Sequence, residues 1–207
     1  MPSLPKPSNN IKVRKANERG HANLGWLNSY FTFSFADYYD PHYMGYRTLR
    51  VINDDTIDVG QGFGMHPHKD MEIVSYLIAG DLQHKDSMGH GAIIKEGNLQ
   101  RITAGTGILH SEFNPSSQKK TRLLQIWILP EKKGLKPSYQ ELNLRDLKNG
   151  LALIASNQEK EGVLKIHQDA QIYRGYLPEG EKADYALKQG RGLWIQHDQR
   201  SNRRQHS

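Results

Sequence analysis

GMHPHKDMEIVSYLIAG, residues 64–80, places two histidines one residue apart at the head of an apolar run. In a strand, residues i and i+2 point to the same face, so His66 and His68 can aim at one point. ITAGTGILHSEFNP, residues 102–115, repeats the arrangement with His110 and Glu112. Two such pairs on adjacent strands supply three imidazoles and one carboxylate. That donor set suits a divalent first-row metal and leaves coordination positions open. Pro67 restricts the backbone between the first two histidines and favours a pre-set geometry. The competing reading is a group of buried, hydrogen-bonded histidines in a metal-free barrel.

The surrounding sequence supports an all-β fold. Short β-type runs cover TLRVIND (48–54), MEIVSYLIAG (71–80), GAIIKEG (91–97), LQRITAG (99–105) and RLLQIWILP (122–130), punctuated by Gly, Asn and Asp. Between Gly25 and Tyr39, aromatic residues alternating with Ser and Thr also read as strand. No segment before residue 130 has helical periodicity. Evenly spaced short strands predict a sandwich or barrel. Residues 1–130 are read as one metal-binding barrel and 131–145, with Pro137 and Gly134, as a linker. Residues 146–207 hold further strand-like runs: LALIASN, GVLKIHQ, AQIYRGYL and GLWIQ. They are too few for a second eight-stranded barrel, so this unit reads as incomplete. The run GLWIQ gives way after Gln196 to a patternless basic tail, which suggests truncation or a shifted reading frame.

Composition narrows the function. The 207 residues contain no cysteine, so disulfides and thiolate metal sites are excluded. No apolar stretch is long enough to span a membrane, and the first ten residues lack the apolar core of a secretory signal. A cytoplasmic protein is expected. The net charge is +6, but Arg200, Arg203 and Arg204 supply half of it in the last eight residues. Elsewhere Lys and Arg are interspersed with Asp and Glu, and no helix-turn-helix or basic–aromatic stripe is present. Specific nucleic-acid binding is therefore not expected.

The spacing Gly60-x5-His66-x-His68-x3-Glu72-x7-Gly80 resembles the first cupin motif, with one extra residue before the last glycine. Gly107-x2-His110-x3-Asn114 resembles the core of the second. The whole stretch from Gly60 to Ser117 closely resembles the pirin family, particularly its bacterial quercetin 2,3-dioxygenases. RGHANLGWLNSYFTFSFADYYDPHYMGYRTLRVIND (19–54) and LLQIWILPEKKGLKPSYQEL (123–142) share the resemblance, which spans residues 10–196. It implies a bicupin, two jelly-roll barrels face to face, with metal only in the N-terminal one. It also implies that His66, His68, His110 and Glu112 are the ligands. Glu72, a ligand position in many other cupins, would then be structural or adjacent to the ligands.

The activity implied by the resemblance is dioxygen-dependent opening of a flavonol such as quercetin. The substrate would chelate one divalent metal, and Glu112 would serve as base when it loosens. Iron is the metal the family implies; Mn, Ni, Co, Cu or Zn would fit the same donors. An alternative is a non-enzymatic, redox-sensing transcriptional co-regulator with a protein partner, and a third reading is an inactive truncated remnant. Other residues read as structural. His84 and Asp86 are placed in a turn, His21 and Trp26 are expected to plug the barrel, and Ser111 is a bystander. Gly105-x-Gly107 has no following helix and is not a phosphate loop.

Overall fold

The computed structural model describes residues 11–144 and 149–198; residues 1–10 and the basic tail from residue 199 lie outside the described residues. Among the described residues one 3-10 turn, Ala16–Glu18, precedes a series of strands. Seven of them form one sheet in the order β1 (Gly20–Asn23), β2 (Leu27–Phe31), β3 (Leu49–Ile57), β10 (Thr121–Ile128), β5 (Glu72–Ala79), β8 (Leu99–Thr103), β11 (Ser138–Leu142). A four-stranded sheet runs β4 (Gly62–His68), β9 (Ile108–Phe113), β6 (Leu82–Asp86), β7 (Gly91–Ile94). A three-stranded sheet, β13 (Leu164–Lys165), β12 (Gly150–Ser156), β14 (Gln171–Tyr176), follows in the C-terminal unit. All pairings are antiparallel except β12 with β13. Among the described residues no helix is long and apolar enough to cross a membrane.

The seven-stranded sheet is covered on both faces, which explains why β5 reads as nearly continuous apolar sequence. Its residues nonetheless alternate. Ile73 and Leu77 enter clusters with Ile102, Ile108, Leu82 and Ile94, between this sheet and the four-stranded one. Val74 and Ile78 face the other way. Val74 packs with Ile128, Ile154, Ala155, Leu164 and Ile166 of the C-terminal unit. Strand β10 follows the same rule: Leu123 points inward, while Leu124 and Ile128 point outward. The two facing sheets form the cupin barrel expected from the sequence.

Three segments differ from expectation. The strand read between Gly25 and Tyr39 covers only Leu27–Phe31. Ser138–Leu142, inside the stretch read as linker, is an edge strand that pairs with β8 from Thr103 to Leu99. Its exposed Gln140 and Glu141 gave it a polar pattern, as befits an edge. GLWIQ, read as a strand, pairs with no neighbouring strand. Its alternation is real: Leu193 and Ile195 are exposed, while Trp194 inserts between Phe33 and Tyr46, at ring distances of 4.9 and 5.8 Å. Gly192 lies so close to the Tyr46 hydroxyl that a Cβ would collide with it. The run anchors the chain to the first barrel instead of extending a sheet.

Candidate metal centre

Strands β4 and β9 pair directly, with His66 opposite His110 and a bulge between Phe63 and His66. At Gly62 a Cβ would strike the backbone of Glu112 and Phe113, so only glycine permits this close approach. The i, i+2 spacing then does what the sequence suggested. Ligand atoms of His66, His68 and His110 all lie within 4.8 Å of one another. Ring centroids are 4.4 Å apart for His66 and His110, 4.8 Å for His66 and His68, and 4.9 Å for His68 and His110.

Two of the three rings are held as neutral donors by burial. Burial, reinforced by His66, pushes His68 down to about 4. Burial pushes His110 down to about 3, with His66 and His68 adding to it. Near neutral pH both therefore keep free lone pairs. Nδ1 of His66 lies 2.7 Å from the Gly64 carbonyl oxygen, which can only accept. The proton therefore sits on Nδ1 and Nε2 is left to bind. His68 is fixed by the edge of Trp127, 5.0 Å away.

His110 supplies the test of whether a metal fits. It is 1% exposed, and neither of its ring nitrogens has a hydrogen-bond partner. Buried polar atoms are rarely left so. A cation among the three imidazoles satisfies one of the two nitrogens, and the nitrogen donor set is that of a first-row transition metal.

Glu112 shares the face of His110 on β9, but the three-histidine group forms without it. Its carboxylate is cradled instead. Gln100 Nε2 donates to Oε1 at 2.5 Å, Gln125 Nε2 to Oε2 at 2.6 Å, and Ser75 Oγ to Oε1 at 3.2 Å. Burial raises this carboxyl to about 7, against the pull of those hydrogen bonds. Ser75, Gln100 and Gln125 were not singled out from sequence. The available signal was a polar residue at an inward position of an otherwise apolar strand, as in EIVSYLIA and TRLLQIWI.

The remaining sequence candidates separate cleanly. Glu72 is fully buried but sits on the outer face of β5, hydrogen-bonded to Thr103 Oγ1 at 3.0 Å and away from the histidines. His84 and Asp86 lie on strand β6, not in a turn. His21 is exposed and stacks on Tyr30, so it plugs nothing; Trp26 packs on Phe63 within the barrel core. A shallow cleft lined by Pro67, Lys69, Ser87 and Leu109 reaches His68 from the surface.

The family model described as Pirin matches residues 12–128, and the one described as Quercetinase C-terminal cupin domain matches residues 153–199. A quercetin 2,3-dioxygenase of Escherichia coli K12 is 52% identical over 186 residues, covering 90% of this chain and 80% of that protein. The crystal structure of YhhW from E. coli superposes with a TM-score of 0.77 at 55% identity, over 79% of this chain and 70% of that one. A structure of the bacterial pirin YhhW in complex with nickel(II) gives 0.76 at 54% identity, over 79% and 71%.

Proposed function

The chain belongs to the pirin family, and on that premise we propose that it is an oxidoreductase that opens flavonols such as quercetin with dioxygen. One divalent metal, Fe2+ for turnover, would be held by His66, His68, His110 and the carboxylate of Glu112. We assign the metal-binding barrel to residues 1–130 with the edge strand β11 added to it, and the C-terminal cupin unit to the chain beyond residue 145. The observation that carries the reading is the convergence of three imidazoles on one point, with a buried His110 whose nitrogens lack partners.

When bound, the metal supplies a Lewis acid that lowers the pKa of a chelating hydroxyl and holds the substrate electron-rich. The protein's part follows from its own groups. His66 and His68 are both half-buried on β4, and His68 lines the cleft, so a substrate would approach the centre from their side. Trp127 packs edge-on against His68 and Phe35, giving this wall an aromatic lining that excludes water from a planar ligand. Glu112, whose carboxyl burial raises to about 7 in the metal-free protein, would be the group to take a phenolic proton when it loosens from the metal. Gln100, Gln125 and Ser75 hold that carboxyl in place between the two states.

The deciding experiment is oxygen uptake by the iron-loaded full chain with quercetin, before and after chelation. Uptake that requires both metal and flavonol supports the enzyme. Full metal occupancy with no uptake across a panel of flavonols would defeat it and favour a binding protein.

A further inference from the structure

Strand β6 runs beside β9 on the side away from β4, and it brings a second histidine–carboxylate pair to the metal centre. His84 stands opposite Glu112 and Asp86 opposite His110. The four residues occupy i, i+2 positions on paired strands, so they share one face, and His84 and His110 are diagonal neighbours. Their rings lie 5.5 Å apart at 49°. Apart from His66 and His68, His84 is the one ring that touches His110 among the described residues.

The protons on this face can be placed by accounting. Asp86 has no exposed side-chain surface and accepts from the backbone N–H of Met88 at 2.9 Å and of His90 at 3.0 Å. Its Oδ2 lies 3.1 Å from Nε2 of His84. A carboxylate only accepts, so the His84 proton is on Nε2 and Nδ1 carries a lone pair. That Nδ1 is buried and has no partner, as do both nitrogens of His110. A metal takes one nitrogen of His110, which obliges the proton onto the other and makes it a donor. One buried donor and one buried acceptor then remain on two touching rings.

We propose that His84, oriented by Asp86, is a positioning residue for His110, accepting the ring N–H that the metal leaves on it. Ligating histidines commonly hand their second ring nitrogen to such a partner, which fixes the ring and strengthens its donor nitrogen. The arrangement is braced from outside. Tyr139 of β11 stacks on His84 at 4.6 Å and 18°, and half-exposed His90 places Nδ1 3.1 Å from the same Asp86 oxygen, Oδ2. The inference rests on the reading of His66, His68 and His110 as ligands.

The test is nickel(II) affinity of the full chain, by competition with a chromophoric chelator, together with proton NMR of the cobalt(II)-loaded protein. His84→Phe keeps a ring but removes the acceptor; it should weaken nickel(II) binding about 10- to 100-fold. It should also shift the slowly exchanging, hyperfine-shifted ring N–H of His110. His84→Asn, which restores an acceptor near the place of Nδ1, should recover most of the affinity. Unchanged affinity and an unchanged N–H resonance in His84→Phe would overturn the proposal. Should His84→Phe fail to fold, Asp86→Asn decides. Its amide donates to Nε2 and drives the His84 proton to Nδ1, against the His110 donor, so affinity should fall; unaltered affinity overturns the proposal. Failure of the unaltered chain to bind nickel(II) stoichiometrically overturns the metal site itself and this inference with it. That outcome is distinct from tight binding that ignores His84.

Discussion

Nδ1 of His167 lies 3.1 Å from Oε1 of Glu72, a carboxylate with no exposed surface. The contact crosses from the C-terminal unit to the outer face of the seven-stranded sheet. Burial raises the Glu72 carboxyl, and His167, Thr103 and Arg101 pull it back. His167→Ala leaves that carboxylate with fewer partners and should destabilise the protein by about 1–3 kcal/mol. Thermal melts of the two single variants and of the double variant with Glu72→Gln should show less-than-additive losses. Strict additivity would mean that the pair does not couple the two units.

The metal site should depend on each imidazole. We expect His66→Ala and His110→Ala to lose stoichiometric metal by elemental analysis, since two imidazoles leave too few nitrogen donors. His110→Ala carries a second effect: it removes a buried ring whose nitrogens have no protein partner. The metal-free variant should therefore lose little stability compared with the usual cost of a core truncation. Unchanged metal content in both variants would show that the ion is held elsewhere.

How far the sequence reveals these arrangements depends on how local the signal is. The histidine pairs were legible because strand geometry alone puts i and i+2 on one face, whatever the rest of the fold does. The β-type runs at 71–80 and 122–130 match β5 and β10 closely because both faces of those strands are buried and demand apolar residues. What was not legible depends on register between distant strands. Nothing local to His84 says that it stands opposite Glu112, and nothing local to Gln125 says that it donates to that carboxylate. GLWIQ shows the same limit: its alternation marks one buried face, but a strand also requires a neighbour, which Trp194 replaces with an aromatic socket.

That socket has a measurable role. Residues 177–191 contain no regular strand and are largely exposed, and the chain is tied back by Trp194, by Arg47 Nη1 donating to the Gly190 carbonyl at 2.9 Å, and by Arg122 with Asp198 at 3.0 Å. Limited proteolysis should cut first between residues 177 and 191 and leave a core that still binds metal. Trp194→Ala should cost about 1–3 kcal/mol, less than a fully buried aromatic, and speed that cleavage. Equal cleavage rates in the two proteins would show that the anchor contributes nothing.

Asp55 gives a pH signature. It accepts a hydrogen bond from Ser29 Oγ and is raised to about 7, chiefly by burial and also by neighbouring Asp54. The folded state thus holds a proton that the unfolded chain, with its ordinary carboxyl near 3.8, releases earlier. Stability from this group is full below that lower value and is lost as pH rises toward 7, by about 1.4 kcal/mol per pH unit across the window. Asp55→Asn keeps the acceptor for Ser29 and cannot titrate. Melts of the metal-free protein from pH 4 to 8 should show a shallower decline for the variant and higher relative stability at pH 8. Parallel curves would place the titrating group elsewhere.

The two buried glutamates give the sharpest test of the proposed chemistry, because they differ in the face they occupy and not in burial. Glu112 lies on the inner side with His110, and both of its oxygens accept from amide or hydroxyl donors. Glu112→Gln puts an NH2 group against the NH2 of Gln100 or Gln125, and it removes the charge that a metal and a phenolic proton both require. We expect metal affinity and quercetin-dependent oxygen uptake each to fall by about tenfold or more. Glu72→Gln alters a carboxyl on the opposite side of β5, held by Thr103 and His167. It should change thermal stability while leaving oxygen uptake per bound metal close to that of the unaltered chain. Uptake that falls more in Glu72→Gln than in Glu112→Gln, measured at equal metal occupancy, would move the catalytic carboxylate to the other face of the sheet and end the assignment of Glu112.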